Sequence, residues 1–282
     1  MQLFRRSSIG ILYVWLGLLA FIPFALVLIT SFLSHTDEQL IVWKFSLLSY
    51  WQLSNPVYVH IFGQSLWLAA WATFFCLLLG YPAAYLIANL PPHKKPIALL
   101  FIILPFWTSS LIRTYAMLAI LKAKGLLNLL LLTLGIIKHP LAMMYTNTAV
   151  LIGSVYDFLP FMILPLYANI DKLDRRLLEA ARDLGANRWV LFRRVILPLT
   201  MPGIIAGSLL VFLPTMTLFY IPTILGGARS VLLGNLIQNQ FLEVRDWPGG
   251  CATSIMLTLI MLVLIAIYRR FAKGKQSEEL LV

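Results

Sequence analysis

The chain has 282 residues, of which 60% are apolar and only 12% are charged. Soluble domains are roughly 45–50% apolar and about 25% charged, so this composition excludes an ordinary soluble protein. The net charge of +11 would suggest nucleic-acid binding in a soluble chain. Here the basic residues lie in gaps between long apolar runs, where they set membrane orientation instead. The sequence therefore predicts an integral membrane protein.

A helix that crosses a hydrocarbon core of about 30 Å needs about 20 apolar residues. Six segments reach this length and are predicted membrane spans, at about 9–33, 61–88, 97–121, 148–170, 203–224 and 248–268. The apolar stretch 125–137 is too short to cross and predicts an interfacial or re-entrant helix. The first run is too long for a signal peptide, so we expect it to stay as an anchor. We predict an all-α polytopic membrane protein with a single transmembrane domain over residues 1–282.

The distribution of Lys and Arg predicts the orientation of these spans. The N-terminus, the 91–96 loop, the 171–194 loop and the tail after Tyr268 hold 15 of these residues, and the opposite loops hold six. We therefore expect both termini and the 171–194 loop in the cytoplasm.

Prolines interrupt three of the predicted spans: Pro105 in the third, Pro160 and Pro165 in the fourth, and Pro214 and Pro222 in the fifth. Irregular backbone is tolerated at membrane depth only where it is packed in protein or lines a cavity. The third, fourth and fifth spans are therefore predicted to surround a pathway, and ordinary helix kinks are the alternative.

The sequence contains no GxxxxGK[ST] phosphate loop and no HExxH motif, so it predicts neither ATP hydrolysis nor zinc-dependent hydrolysis by this chain. Cys76 and Cys251 lie inside apolar runs and are interpreted as buried hydrophobes, not as a disulfide or a metal site. We expect no catalytic residue, no metal and no cofactor in this chain. A membrane hydrolase is disfavoured.

The 171–194 loop has the most distinctive pattern in the chain. Asp171 or Asp174 is predicted to cap a helix, and Gly185 to end it. A second short helix is predicted at 187–194, ending at the prolines that follow it. The apolar stripe of the first helix consists of Leu173, Leu177, Leu178, Ala181 and Leu184. Two short helices at a glycine turn suit a partner's groove or an anionic lipid surface.

Glu179-Ala180-Ala181 is followed by Gly185 and, after nine intervening residues, by Val195 with Leu197-Pro198. This pattern resembles the "EAA" loop of ABC-importer permease subunits. The usual Ile of that family is Val195 here. Over nearly its full length the chain resembles the permeases of spermidine/putrescine importers. The segments that carry this likeness are 105–115, 159–162, 198–207 and 245–248.

The resemblance implies a MetI-like permease fold with five core spans and an N-terminal span against a partner. It implies uptake of a polyamine across the bacterial inner membrane, through a pathway shared with a second homologous permease (PotC-like). Two ATPase subunits (PotA-like) would hold ATP and Mg, and a periplasmic substrate-binding protein (PotD-like) would deliver the substrate. The chain itself would be a transport subunit in contact with membrane lipid, not an enzyme. In this family the EAA loop docks on the ATPase, which assigns that coupling to Glu179, Ala180, Ala181, Arg182, Asp183 and Gly185.

Two other transport functions stay open at this point. Related permeases carry iron, thiamine or anion-type solutes. A stand-alone secondary transporter is disfavoured, because such proteins show half-helix repeats and more ionisable residues within the membrane.

A polyamine carries ammonium groups on a methylene chain, so its path needs carboxylates and aromatic faces. Asp157 is the only acid within a predicted span, and we expect it to line the substrate path. On straight helices Arg113 would lie about 7 Å away in height, and an Arg near a span end more often extends outward. A pair between Arg113 and Asp157 is the alternative. The aromatic candidates for the path are Trp107, Tyr115, Tyr156, Phe161, Phe219 and Tyr220.

A further group precedes the last span, on the side opposite the 171–194 loop. Glu243, Asp246 and Trp247, with Arg245 between them, are predicted to form an outer gate or the contact with the binding protein. A solvated loop with an interfacial Trp is the alternative.

Overall fold

The computed structural model describes residues 2–36, 39–227 and 230–278. Within these residues the regular secondary structure is helical, apart from an isolated bridge between Ser34 and Val42. Six helical segments are long and apolar enough to cross a membrane, which confirms the predicted all-α polytopic architecture. Arg229, one of the six basic residues counted on the outer side, lies outside the described residues.

The helices follow one another as α1 (Gln2–Thr30), α2 (Leu48–Gln52), α3 (Pro56–Ala88), α4 (Lys95–Ile103), α5 (Ser110–Leu121), α6 (Leu126–Thr133), α7 (Asn147–Ile170), α8 (Arg175–Asp183), α9 (Arg188–Leu191), α10 (Leu197–Thr217), α11 (Leu233–Leu242) and α12 (Trp247–Glu278). A 3-10 turn at Leu104–Trp107 follows α4, and π-helical turns lie at Phe192–Ile196 and Pro222–Gly226. The sequence analysis did not predict α11, which lies in the loop before the last span.

The chain divides into two compact units, Met1–His60 with Leu236–Val282, and Ile61–Asn235. In the first unit α1 packs along α12. The hydroxyl groups of Ser31 and Tyr50 lie 2.8 Å apart and join the end of α1 to α2. None of the apolar window Tyr13–Thr30 of α1 is buried, so most of the apolar surface of this helix is uncovered.

In the second unit α7 and α10 are the most closely packed helices. A Cβ atom added to Gly207 would lie 2.7 Å from the sulfur of Met162, and one added to Gly203 would lie 2.8 Å from Cβ of Asn169. Small residues four apart allow two helix backbones to approach closely. Gly207 therefore leaves the space that the fully buried Met162 fills, and Gly203 leaves space for Asn169.

The third predicted span, 97–121, is not one continuous helix. Pro105 lies in the 3-10 turn, and the following Thr108 is extended, with φ −87° and ψ 147°. Proline has no N–H for a carbonyl one turn earlier, so the α-helix ends and a new one starts at Ser110. By length and composition the third crossing-capable segment is Ser110–Thr133, which includes α6 within the predicted 125–137 stretch.

This broken segment runs along α7 in the opposite direction. The Lys95 ammonium, at the start of α4, lies 2.6 Å from Asp171 at the end of α7. Arg113, in the first turns of α5, reaches Asp157 in the middle of α7. The break therefore sets which residues of the third segment face the middle of α7.

The predicted end of the second helix of the 171–194 loop is wrong. α9, the π turn and α10 form one continuous helical segment, Arg188–Thr217. Pro198 has no N–H to donate to the carbonyl of Arg194, and the wider π turn just before it changes the hydrogen-bond pattern there. Pro198 and Pro202 are therefore accommodated within the helix.

The fifth predicted span, 203–224, ends earlier than expected. α10 stops at Thr217, and Leu218 is extended with φ −67° and ψ 132°. Pro222 lacks the N–H that a continuing helix would donate to the carbonyl of Leu218. The chain resumes at Tyr220 as a short separate helical turn, which fixes the position of the Tyr220 side chain.

Candidate functional site

A buried ion pair lies in the middle of α7. Nη2 of Arg113 is 2.9 Å from Oδ1 of Asp157, and the two side chains are 9% and 7% exposed. The expectation that Arg113 extends away from Asp157 is therefore wrong. It assumed a straight third span, whereas the break before Ser110 places Arg113 level with Asp157.

Two aromatic residues complete this site. The hydroxyl of Tyr220 donates a hydrogen bond of 2.7 Å to Oδ2 of Asp157. The guanidinium carbon of Arg113 lies 4.4 Å from the ring centre of Phe106, within cation–π range. We call Phe106, Arg113, Asp157 and Tyr220 the Asp157 cluster. It joins the 3-10 turn, α5, α7 and the segment after α10.

The polar groups of the Asp157 cluster are incompletely satisfied. Nε of Arg113 is buried and has no hydrogen-bond partner among the described residues. Oδ1 of Asp157 has no partner with hydrogen-bond geometry there, although it lies close to the guanidinium. A strong Arg–carboxylate pair is usually bidentate, with two parallel N–H···O bonds. The pair in the Asp157 cluster is thus held by charge more than by directed hydrogen bonds.

The structure brings some of the predicted path residues to the Asp157 cluster. The ring of Phe161 meets Phe106 edge to face, with centroids 5.0 Å apart. The ring of Phe219 meets Tyr220 in the same way at 5.8 Å. Phe161 and Phe219 are 37% and 45% exposed, so these two contacts lead from the buried charges to the surface of the chain.

The remaining candidates lie elsewhere. Trp107, Tyr115 and Tyr156 are exposed, and none of them takes part in the ring contacts or hydrogen bonds described for the cluster. Phe106 was not selected from the sequence. Nothing in its residue type separates it from its neighbour Trp107, and only the turn geometry places its ring under Arg113.

The 171–194 loop forms the predicted pair of helices. The side chain of Asp174 accepts a 2.9 Å hydrogen bond from the backbone N–H of Arg176 and caps α8. Asn187 caps α9 in the same way, accepting from the N–H of Val190 at 2.8 Å. Gly185 has φ +81°, a conformation in which Gly is strongly favoured. The predicted cap at Asp174 and the glycine turn are confirmed.

The outer surface of this helix pair carries both charges and large apolar side chains. Leu184 is 90% exposed and Trp189 is 68% exposed. The six predicted coupling residues lie on the same element, where Glu179, Ala180, Arg182, Asp183 and Gly185 are exposed and Ala181 is partly buried. The element therefore presents a mixed apolar and charged surface without a partner in the single chain.

The residues before the last helix have structural partners. Asp246 is buried; its Oδ1 accepts a 2.8 Å hydrogen bond from the N–H of Gly249 and lies 3.0 Å from Nδ1 of His35. Glu243 accepts a hydrogen bond from the Asn239 side chain. Trp247 packs edge to face on a neighbouring phenylalanine. Asp246 is thus a cap of α12, and a gating or docking role for these residues stays a prediction.

Comparison with known proteins supports these observations. A family model described as "Binding-protein-dependent transport system inner membrane component" matches residues 77–275. The spermidine/putrescine transport system permease protein PotB of Escherichia coli (strain K12) is 50% identical over 259 residues, covering 92% of this chain and 94% of that protein. The PotB protein of Haemophilus influenzae is 48% identical over 270 residues, covering 96% of this chain and 94% of that protein.

The fold also matches a solved structure. A chain in the crystal structure of a bacterial alginate ABC transporter, in complex with an alginate pentasaccharide-bound periplasmic protein, superimposes with a TM-score of 0.78. The match covers 96% of this chain and 94% of that chain at 14% identity, so it shows the fold alone. The MetI-like permease fold and the multi-pass inner-membrane class predicted above are confirmed, and the chain belongs to the family of binding-protein-dependent transport system inner membrane components.

Proposed function

We propose that this chain is the permease subunit of an ATP-driven importer that takes up a polyamine, spermidine or putrescine. The observation that carries the proposal is the likeness, at about half identity and over nearly the full length, to two spermidine/putrescine permeases. The Asp157 cluster supports it, because a carboxylate, a phenol and an aromatic face are groups that bind an ammonium.

The proposed assembly contains four further subunits. A second homologous permease (PotC-like) would complete the pathway, and the exposed apolar surface of α1 offers it a contact. A periplasmic binding protein (PotD-like) would deliver the substrate on the side of Glu243 and Trp247. Two ATPase subunits (PotA-like) would bind ATP and Mg, so that hydrolysis occurs outside this chain.

Coupling to the ATPase is assigned to α8, Gly185 and α9. The exposed Leu184 and Trp189 supply apolar contacts for a groove, and Glu179 supplies a charge at its edge. A helix that inserts its apolar face into a groove is a recurrent mode of recognition. If both termini lie in the cytoplasm, as the distribution of Lys and Arg predicts, this element lies on the ATP-containing side.

The proposal is tested by reconstitution. The chain, its second permease, the ATPase and the binding protein are placed in proteoliposomes with ATP inside, and uptake of labelled spermidine and putrescine is measured. We expect uptake that needs both ATP and the binding protein. A complex without ATPase activity and one without the binding protein are the controls. Uptake of iron, thiamine or an anion with no polyamine uptake would contradict the proposal.

A further inference from the structure

We infer that Arg113 is a built-in occupant of the site that takes an ammonium group of the substrate, and that the substrate displaces its guanidinium from Asp157 during transport. The inference rests on the proposed polyamine import and specifies the residue with which the substrate competes. It assigns Arg113 a role in selecting cationic substrates.

The first argument is the chemistry around the guanidinium. Asp157 supplies the negative charge, the Phe106 ring lies 4.4 Å from the guanidinium carbon, and Tyr220 holds the second carboxylate oxygen in place at 2.7 Å. These groups recognise a cation by charge and by ring face, not by the shape of a guanidinium. A primary ammonium with three N–H donors fits the same groups.

The second argument is that Arg113 is held incompletely. One guanidinium nitrogen, Nη2, meets the carboxylate at 2.9 Å, and the buried Nε has no partner within the described residues. In a strong structural pair a guanidinium frequently uses its planar fork on both carboxylate oxygens. Here Tyr220 occupies Oδ2, which leaves Arg113 one oxygen and makes it the exchangeable member of the cluster.

The third argument concerns charge. Removing one partner of a buried ion pair leaves an uncompensated charge and is strongly unfavourable. An incoming ammonium replaces one positive charge by another at Asp157, and the displaced guanidinium must then extend to water to stay solvated, whereas a neutral or anionic solute offers the carboxylate no such replacement. The pair would therefore open for a cation and stay closed for other solutes.

The fourth argument is access. Phe161 contacts Phe106, Phe219 contacts Tyr220, and both outer rings are partly exposed. An ammonium can thus pass from one aromatic face to the next before it reaches the carboxylate. The buried charges lie one ring away from the surface on two sides.

The experiment compares spermidine uptake by reconstituted complexes that carry Arg113→Lys, Arg113→Gln, Asp157→Asn and the double variant Arg113→Gln/Asp157→Asn. Ser154→Ala is the matched control, because Ser154 is buried one turn from Asp157 and its hydroxyl has no partner among the described residues. Copurification of all subunits reports assembly for every variant. The Ser154→Ala complex should keep the wild-type KM.

If the substrate displaces Arg113 from Asp157, substitutions of the two residues should have opposite effects on spermidine uptake. Arg113→Gln removes the competitor and should lower the KM for spermidine by about threefold or more, which is a change of at least about 0.65 kcal/mol in apparent binding. Asp157→Asn should reduce uptake about tenfold or more, a change of at least about 1.4 kcal/mol. The double variant should stay as low as Asp157→Asn, because the carboxylate is still missing.

A purely structural pair predicts the reverse for the double variant. Removing both charges restores a neutral interior, so uptake would recover towards wild type, and this recovery would overturn the inference. If Arg113→Gln does not assemble, Arg113→Lys decides. The lysine ammonium should bind Asp157 less firmly than the guanidinium and should therefore lower the KM for spermidine. An unchanged or higher KM overturns the inference. Wild-type uptake is measured first, so absence of any polyamine uptake contradicts the proposed function and not the exchange alone.

Discussion

Tyr220 connects the segment after α10 to the middle of α7 through a single hydroxyl group. Its 2.7 Å hydrogen bond to Asp157 is the one directed hydrogen bond on that carboxylate among the described residues. Hydrogen bonds to charged groups contribute about 1.5–3 kcal/mol. The hydroxyl therefore matters both for the position of the carboxylate and for the packing of this segment.

Tyr220→Phe removes this hydroxyl and keeps the ring. We expect a loss of stability of about 1.5–3 kcal/mol, measured as a lower thermal midpoint of the purified chain, because a buried carboxylate oxygen loses its donor. Tyr85→Phe is the control, since no hydrogen bond of its hydroxyl is described within the structure. Equal midpoints for Tyr220→Phe and the wild type would show that the hydrogen bond contributes nothing measurable.

Gly185 is the residue on which the turn between α8 and α9 depends. Gly185→Val should uncouple ATP hydrolysis from uptake while the protein still inserts, because φ +81° is costly for a β-branched residue, by about 1–3 kcal/mol. No other atom lies within 4 Å of an added Cβ, so the effect is conformational and not a clash within the chain.

Gly185→Asn is the matched variant, because Asn tolerates positive φ much better than Val. It should retain most of the uptake per ATP hydrolysed. Normal coupling in Gly185→Val would remove the turn from the coupling mechanism.

Asp246 illustrates how a predicted docking residue acquires a structural role. Asp246→Ala should cost about 0.5–2 kcal/mol through the lost helix cap, seen in the thermal midpoint, whereas Asp246→Asn keeps an acceptor for the N–H of Gly249. Stimulation of ATPase activity by the loaded binding protein is measured on both. Full stimulation in Asp246→Asn would show that the carboxylate charge takes no part in docking.

At the level of helices, the close approach of α7 and α10 depends on glycine. Gly207→Leu should separate the two helices, because an added Cβ already lies 2.7 Å from the Met162 sulfur and 3.2 Å from its carbonyl oxygen. Overpacking of this kind costs about 1–3 kcal/mol and should lower the thermal midpoint. Gly17→Leu is the control, since nothing lies within 4 Å of its added Cβ; an equal loss in both variants would contradict the packing argument.

The sequence was sufficient for the helices that apolar length defines. The fourth span, predicted at 148–170, is α7 at Asn147–Ile170, and the Asp174 cap and the Gly185 turn follow from the residue types alone. These features depend on local chemistry within a few residues. They could therefore be predicted without knowledge of the tertiary contacts.

The sequence was insufficient where a proline has more than one possible outcome. Pro105 ends a helix, whereas Pro198 and Pro202 lie within one, and the difference depends on the hydrogen bonds of the preceding turn. The pair of Arg113 with Asp157 was missed for this reason, because its geometry follows from the break at Pro105. The role of Phe106 was missed for the same reason.

At the level of the whole molecule, the excess of Lys and Arg beside the ends of the spans predicts the orientation. A reporter fused after Val282 should be active only in the cytoplasm, and one inserted in the 171–194 loop should agree with it. The reason is that short loops rich in Lys and Arg prefer the cytoplasmic side of the membrane. A tail that is accessible only from outside would require an odd number of spans.

The continuous helical segment Arg188–Thr217 spans 30 residues, or about 45 Å at 1.5 Å per residue. If this segment tilts as one unit about one of its ends, a tilt of only about 5° moves the other end by about 4 Å. That displacement exceeds the 2.7 Å that separates the Tyr220 hydroxyl from Asp157. Tyr220 lies three residues after Thr217, the end of this segment. A small tilt at the Arg188 end, where we propose that the ATPase binds, is therefore large enough to make or break the hydrogen bond between Tyr220 and Asp157.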